Sequence, residues 1–467
     1  MKGAISWSHG HYTPPLFDGG DIYVNRIVPF TDGFSFEWDE CPHTGSYHVF
    51  WRERGVGEYN EAVTSGTKFT LGGLVTGGDY EFYVTADDKK SRVRLARPGV
   101  PPGTVVNYLH PEDNAYSFSG HALCSPSLVR HPDGFLLASM DVYSGNMPQN
   151  LAIIFRSDDD GETWYHYTEL FPCFWPRLFI YRSVLYCMAV STEYGDLLIG
   201  RSVDGGQTFG VPTVLLRGSG RVNENGCHRN PVRFCEYNGR LWTALEYGCW
   251  AKGDHAVMMA SVGINDDLLD VNKWLFTEPV PYNPNWPGVA KGKAAGCIEG
   301  NTIPSPDGSK LYNILRYNLN GSCTPKHSLA MVMRVNPDDP EAPLEYDRVI
   351  HFPGNHSKFE ITPDPVSGKY ISIISRILGD SSSHNRNLLS LAVSDNLFDW
   401  HVCLDLHDYT DCNPSDVGMQ YISYIIEGDD LLYLSRTAIS GARNFHDANY
   451  STFHRLENFR QYLDKRA

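Results

Sequence analysis

The sequence predicts an all-β chain in two parts, a small β-sandwich over residues 1–100 and a longer array of repeated strand pairs over residues 101–467. Three observations carry this prediction. Aromatic residues make up 13% of the chain and stand beside 43 Gly and 29 Pro, a composition suited to many short strands joined by tight turns. Near the N-terminus, apolar and polar residues alternate with the period of two that half-buried strands require. Beyond the first hundred residues, a unit of apolar strand, tight turn and returning apolar strand recurs every ~50–70 residues, as in a repeat architecture.

In the first part, Phe34, Phe36 and Trp38 alternate with polar neighbours, and Tyr47, Val49 and Trp51 do the same. Leu74-x-x-Gly77-x-x-Tyr80-x-Phe82-x-Val84 comes next. This stretch resembles the fibronectin type III pattern, with Tyr80 placed as its corner tyrosine, whose ring is buried while its hydroxyl ties down the inter-sheet loop. Pro98-Gly99-Val100-Pro101-Pro102-Gly103 cannot continue a ladder and reads as a stiff linker.

In the second part the turns include Pro132-Asp133-Gly134, Asn238-Gly239, Pro306-Asp307-Gly308 and Ser367-Gly368. The returning strands run Leu136 to Asp141, Leu241 to Glu246, Leu311 to Arg316, Tyr370 to Arg376 and Leu431 to Arg436. Two repeats continue into a sharper pattern, Ser157-x-Asp159-x-Gly161-x-Thr163-Trp164 and Ser202-x-Asp204-x-Gly206-x-Thr208-Phe209. A worn third copy runs from Ser394-Asp395 to Trp400. The pattern describes a hairpin turn in which Asp accepts backbone N–H bonds, Gly takes a positive φ and the aromatic anchors the strand. It resembles the Asp-box of sialidase-like proteins, and the resemblance implies a six-bladed β-propeller over residues 101–467. The box aspartates are expected to shape turns, not to catalyse.

The net charge of −16 argues against a nucleic-acid surface, while leaving room for a local arginine cluster that takes an anionic substrate. No apolar run reaches membrane-spanning length. Met1 to His11 show no basic segment followed by an apolar run, and the 11 cysteines are scattered without a Cys-x-x-Cys pair. These features predict mostly buried, reduced thiols and a cytoplasmic setting. His228 and His356 lack the spacing of a metal site, so neither metal nor cofactor is expected.

The first residues of the innermost strands of a propeller line a shared funnel. Reading the repeats in register puts His121, Arg177, Arg229 with Asn230, Glu299, His356, and Gly418 with Gln420 in a first layer. Asp141, Glu193, Glu246 with Tyr247, Arg316, Arg376 and Arg436 form a second. The segment from Glu299-Gly300-Asn301 to Leu315-Arg316 is similar to the sialidase segment in which a Glu opens an inner strand and an Arg closes its partner. In that family the Glu polarises a Tyr nucleophile and the Arg holds the substrate carboxylate, a task suited to a planar guanidinium fork. Arg376 reads as a second clamp, with Arg386 and Arg436 as weaker candidates.

The chain departs from the sialidase pattern in its first inner strand. Gly120-His121-Ala122-Leu123-Cys124-Ser125-Pro126 carries no Arg where sialidases have one, so sialic acid is not the expected substrate. The expected activity is that of a glycoside hydrolase that removes a terminal acidic sugar from an oligosaccharide or polysaccharide. Glu299 would serve as acid/base or polarising carboxylate, Asp141 or Glu246 as its partner, and Arg316 with Arg376 as the clamp. A uronate lyase using His121 and Tyr247, with Arg229 and Arg316 neutralising the acid, is the second reading. A glycan-binding propeller without turnover is the third.

Overall fold

The computed structural model describes Trp7 and residues 21–292, 296–319, 322–354, 356–379 and 385–466. The stretch Met1 to His11 lies outside these residues, apart from Trp7.

The alternation near the N-terminus becomes two facing sheets. One orders Val24–Phe30, Gly33–Trp38 and Lys68–Leu71; the other orders Asn60–Thr64, Tyr47–Glu53, Tyr80–Ala86 and Lys89–Lys90, with Arg94–Ala96 also on Tyr80–Ala86. Phe34, Phe36, Val49, Phe82 and Val84 are fully buried between them, with the rings of Phe36 and Phe82 4.1 Å apart. The Tyr80 hydroxyl accepts the Val75 N–H at 2.9 Å. The sandwich is fastened to the longer second part by more than its linker. Tyr23 donates to Glu169 at 2.6 Å, Arg26 to the carbonyls of Val105 and Val106, and Arg94 pairs with Asp113 at 2.7 Å, both ends buried.

Among the described residues that second part holds six further antiparallel sheets, five of them built from strands successive in the chain. Their innermost strands begin in turn at Ala122–Leu123 with Ser127–Arg130, Phe174–Tyr181, Gly226–His228 with Phe234–Tyr237, Cys297–Pro304, Thr362–Pro363 and Gly418–Glu427. The sixth sheet takes its outermost strand, Thr104–Tyr108, from the segment just after the sandwich. The inner strands and the segments leading into them touch in a closed cycle. Leu178 N–H donates to Ser127 Oγ, Phe179 stacks on Phe234 at 4.1 Å, and Asn230 donates to Glu299. Ile361 N–H then donates to Asn301, Tyr421 N–H to Ser357 and Leu128 N–H to Ser423, which returns to the first sheet.

Charge is buried at the centre of this cycle. The fully buried Glu360 carboxylate accepts from Arg177 at 2.8 Å, Lys358 at 2.8 Å and Arg233 at 2.7 Å. Burial alone would raise its pKa, but the three cations overcome that and hold it at about 2.

The Asp-box turns form as the sequence indicates. Asp159 accepts the Thr163 N–H at 2.9 Å, Gly161 N–H donates to Ser157 Oγ at 2.8 Å, and Gly161 sits at φ 92° with Trp164 buried beyond it. A Cβ on Gly161 would fall 2.1 Å from the Phe453 ring, so no other residue fits. Asp204, Gly206 and Phe209 repeat the arrangement. In the worn copy Asn396 stands two residues after Ser394, where the full copies carry Asp, and accepts the Phe398 N–H at 2.9 Å, while Trp400 anchors the strand one residue sooner than in those copies. Nine of the eleven cysteines are buried, so they serve as small apolar filler.

Two outcomes are expected for stability. Asp204→Ala leaves the Thr208 N–H and hydroxyl without their acceptor and should cost about 1–2 kcal/mol in urea unfolding, with function per folded molecule unchanged. Glu360→Gln strands three cations at the axis and should cost about 3–5 kcal/mol in the same measurement; an unchanged midpoint would show that the axial charges are solvated.

Candidate functional site

Three innermost strands carry the same irregularity near their start. The ladder skips between Phe174 and Arg177, between Ile298 and Asn301, and between Gln420 and Ser423. In each bulge one large residue takes a left-handed backbone: Trp175 at φ 55°, Glu299 at φ 58° and Tyr421 at φ 55°. That conformation is costly for a side chain of this size and re-aims it out of the ladder. After Glu299 the chain needs Gly300, because a Cβ there would lie 2.0 Å from Asn313 Oδ1.

Glu299 and Tyr421 meet on Arg316. Arg316 Nη1 donates to Glu299 Oε2 at 2.9 Å and to the Tyr421 hydroxyl at 3.2 Å, while Nη2 donates to the His356 carbonyl at 3.1 Å and to Asn318 at 3.3 Å. Asn230 donates to the other Glu299 oxygen at 2.7 Å. Glu299 and Arg316 are therefore a buried ion pair whose guanidinium also holds a phenol. Burial and the Glu299 charge push the Tyr421 phenol up, and Arg316, Arg386 and Arg436 oppose them.

Two more guanidiniums complete the cluster. Arg436 lies over the Tyr421 ring at 4.9 Å and is fixed by the His446 carbonyl, which accepts from its Nε at 3.0 Å. Arg386 lies 5.6 Å from the same ring and donates to Gln420, whose amide in turn donates to the Phe445 carbonyl. Burial pulls Arg386 down to about 9, helped by the like charges of Arg316 and Arg436. Three guanidiniums thus share a small region with the Glu299 carboxylate, and Asp447, held against its burial below the usual range by His446 and Arg436, acts on Arg436 from beyond His446.

Asp141 is fully buried and both its oxygens lack a hydrogen-bond partner among the described residues. Burial raises it to about 8 although Arg436 pulls the other way, so it is a neutral acid at pH 7. It lies within the strand Leu136–Tyr143 instead of ending it, as Glu246 does within Arg240–Gly248. Glu246 is buried against His228 Nδ1 at 2.8 Å, and burial together with the neighbouring Glu299 charge raises its carboxyl.

The structure separates several residues that the sequence placed together. Arg177 is committed to Glu360 at the axis. Arg229 is buried with its Nη2 on Thr243 and the Val232 carbonyl. Arg376 turns outward to Asp405 at 3.2 Å, away from Arg316, whose neighbouring guanidiniums are instead Arg386 and Arg436. The Tyr247 side chain leaves the opposite face of its strand from Glu246 and reaches the Arg217 carbonyl. His121 Nδ1 lies 3.0 Å from the Asp113 carbonyl, and His356 contributes its backbone oxygen while its ring faces His327. Sequence reasoning misses Tyr421 altogether. Its only sequence signal is an aromatic residue beside Gln420 at the opening of an inner strand.

No family profile matches the chain, and no curated protein does. Among solved structures it is similar to an α-L-arabinanase of Penicillium chrysogenum complexed with arabinobiose, with a TM-score of 0.51 and 14% identity over 77% of this chain and 99% of that one. The α-L-arabinofuranosidase Arb93A of Fusarium graminearum gives a TM-score of 0.46 at 14% identity, covering 78% of this chain and 97% of its own. The NanB sialidase of Streptococcus pneumoniae gives 0.46 at 10% identity, covering 94% and 93%. The arabinanase likeness is one of fold, and the ring of sheets is a β-propeller. Among the described residues no group of three or more His, Cys, Asp and Glu is arranged to hold a metal ion, and no helix is long and apolar enough to cross a membrane.

The raised Asp141 makes a signed prediction. The folded chain holds this proton up to about pH 8 whereas the unfolded chain releases it near pH 4, so stability falls as pH rises across that window. Asp141→Asn should remove as much as about 1.4 kcal/mol per pH unit of that slope in urea unfolding between pH 5 and 8. Identical slopes in parent and variant would mean that the carboxyl is ionised when folded.

Proposed function

We propose that the protein is a glycoside hydrolase that releases a terminal acidic sugar from an oligosaccharide or polysaccharide. In this reading the sialidase-like propeller has six blades and the N-terminal sandwich is a fibronectin type III-like module. The observation that carries the proposal is Arg316 joining Glu299 to Tyr421 beside Arg386 and Arg436. Three buried guanidiniums outnumber Glu299 and the Asp447 that acts on Arg436, which leaves positive charge for a ligand to neutralise, and a sugar carboxylate gripped by planar forks does so.

The chemistry uses the same groups. Tyr421 Oη attacks the anomeric carbon as the bond to the leaving oxygen breaks, its phenol proton passing to Glu299 and the Asp141 proton passing to the departing oxygen. Water then attacks the anomeric carbon of the glycosyl-tyrosine intermediate. Asp141, now a carboxylate, takes the water's proton, and Tyr421 departs and recovers its own from Glu299. A phenol suits this work because an attacking carboxylate would be repelled by the sugar's own. The arginines lower the cost of phenolate character as the proton leaves. Two displacements at one carbon retain configuration.

Aryl uronides, aryl sialosides and neutral aryl arabinosides test the reading together. Turnover is expected on an acid-bearing glycoside and not on the neutral one. Tyr421→Phe should then lower kcat by about 10²-fold or more with little change in KM, whereas Arg386→Ala should act mainly on KM. Turnover confined to neutral arabinosides would overturn the acidic-sugar assignment, and saturable glycan binding without turnover of any glycoside would favour a binding propeller.

A further inference from the structure

The far ends of the inner strands enclose a cavity of about 540 Å³ that this chemistry does not use. Leu178, Phe179, Phe234 and Ile425 wall it, and Arg177 and Arg233 line it. Tyr421 opens its strand at the candidate site, and Ile425 to Glu427 reach this second cavity at the strand's other end.

The charges behind its wall do not balance. Arg177, Arg233 and Lys358 converge on Glu360, and the guanidinium of Arg229 stands 5.2 Å from the Phe234 ring. Two further carboxylates line the cavity, but Glu427 is engaged by Arg130 at 2.8 Å and Glu236 is exposed to solvent. Glu246, the carboxylate nearest in effect to Arg229, is held by His228. Three cations therefore converge on the single carboxylate of Glu360. Among the described residues, Arg177 Nε and Arg229 Nε and Nη1 have no hydrogen-bond partner, although Arg177 is only 5% exposed and Arg229 only 1%. Burying guanidinium donors without acceptors is costly, and the cost falls if an acceptor occupies the space beside them. Burial, with the like charge of Arg177, already draws Arg229 down to about 9.

We infer that this axial cavity binds a small inorganic anion, halide or oxyanion, held by Arg177 and Arg233 between apolar walls. The site is independent of the proposed hydrolysis. It lies at the other end of the strands and uses none of Glu299, Tyr421, Arg386 and Arg436.

Thermal melts in sodium chloride, sulfate and phosphate, each at matched ionic strength against sodium gluconate, test the inference. At least one small anion should raise the Tm saturably over gluconate, and differences among the three would separate a halide site from an oxyanion site. Arg233→Gln should raise the half-saturating concentration about tenfold or more, while Arg54→Gln, the same loss of charge on the N-terminal sandwich, should leave it unchanged. Ile425→Glu places a carboxylate at the cavity wall, so it should raise the Tm in gluconate and abolish the anion response without removing any axial cation. A Tm that tracks ionic strength alone for every salt, or an Ile425→Glu chain that responds as the parent does, would overturn the site.

Discussion

Everything at the candidate site hangs on the charge held at the axis. Sheets that pack face to face through slippery apolar seams need something to fix how their inner edges converge, and here it is Glu360 drawing Arg177, Arg233 and Lys358 into one place. Arg177 and Arg233 come from the second and third sheets and Lys358 from the segment entering the fifth. Each attraction is strong because water is excluded, and each is useful only because its partners cannot retreat into solvent. Hydrogen bonds through Ser127, Asn301, Ser357 and Ser423 extend that constraint around the ring. With the inner strands fixed, a side chain displaced from one of them has a defined destination.

The bulges use that definition. A regular strand would send Glu299 and Tyr421 toward neighbouring sheets, where large polar groups would disturb the apolar packing between them. One left-handed residue in each strand turns the side chain toward the funnel instead, and the ladder resumes beyond it. Strain is thus concentrated where two reactive groups must share a guanidinium, and the apolar seams on either side offset it.

How much was legible depends on the reach of each interaction. The Asp-box turns could be read because Ser157, Asp159, Gly161 and Thr163 satisfy one another within a few residues. Even in the worn copy, the acceptor Asn396 keeps its place two residues after Ser394. Glu299 and Arg316 were legible as a pair because they open and close one hairpin. Tyr421 was not, since a period of two gives its direction wrongly once a bulge intervenes, and nothing local announces the bulge. Arg376 closes its strand much as Arg316 does, yet its outward turn depends on Asp405, three strands from the axis. Arg386 and Arg436 owe their places to Gln420 and to carbonyls of the loop after Ala438, contacts that no spacing encodes.

The strand Thr104–Tyr108 lends its edge to the sheet formed last in the chain, so the two ends of the propeller are joined by non-covalent contacts, ladder hydrogen bonds and the packing of Tyr108 on Tyr450. Tyr421 and Arg436 belong to that same last sheet, whereas Glu299 and Arg316 belong to the fourth. On the ribosome, most of the ring has emerged before the phenol or the Arg436 guanidinium exists, and the waiting first strand cannot be paired until Tyr450–Leu456 arrives. A nascent or prematurely ended chain therefore carries a buried carboxylate and its arginine but no complete site. Completion of the candidate site and closure of the circle are reached in the same event of synthesis.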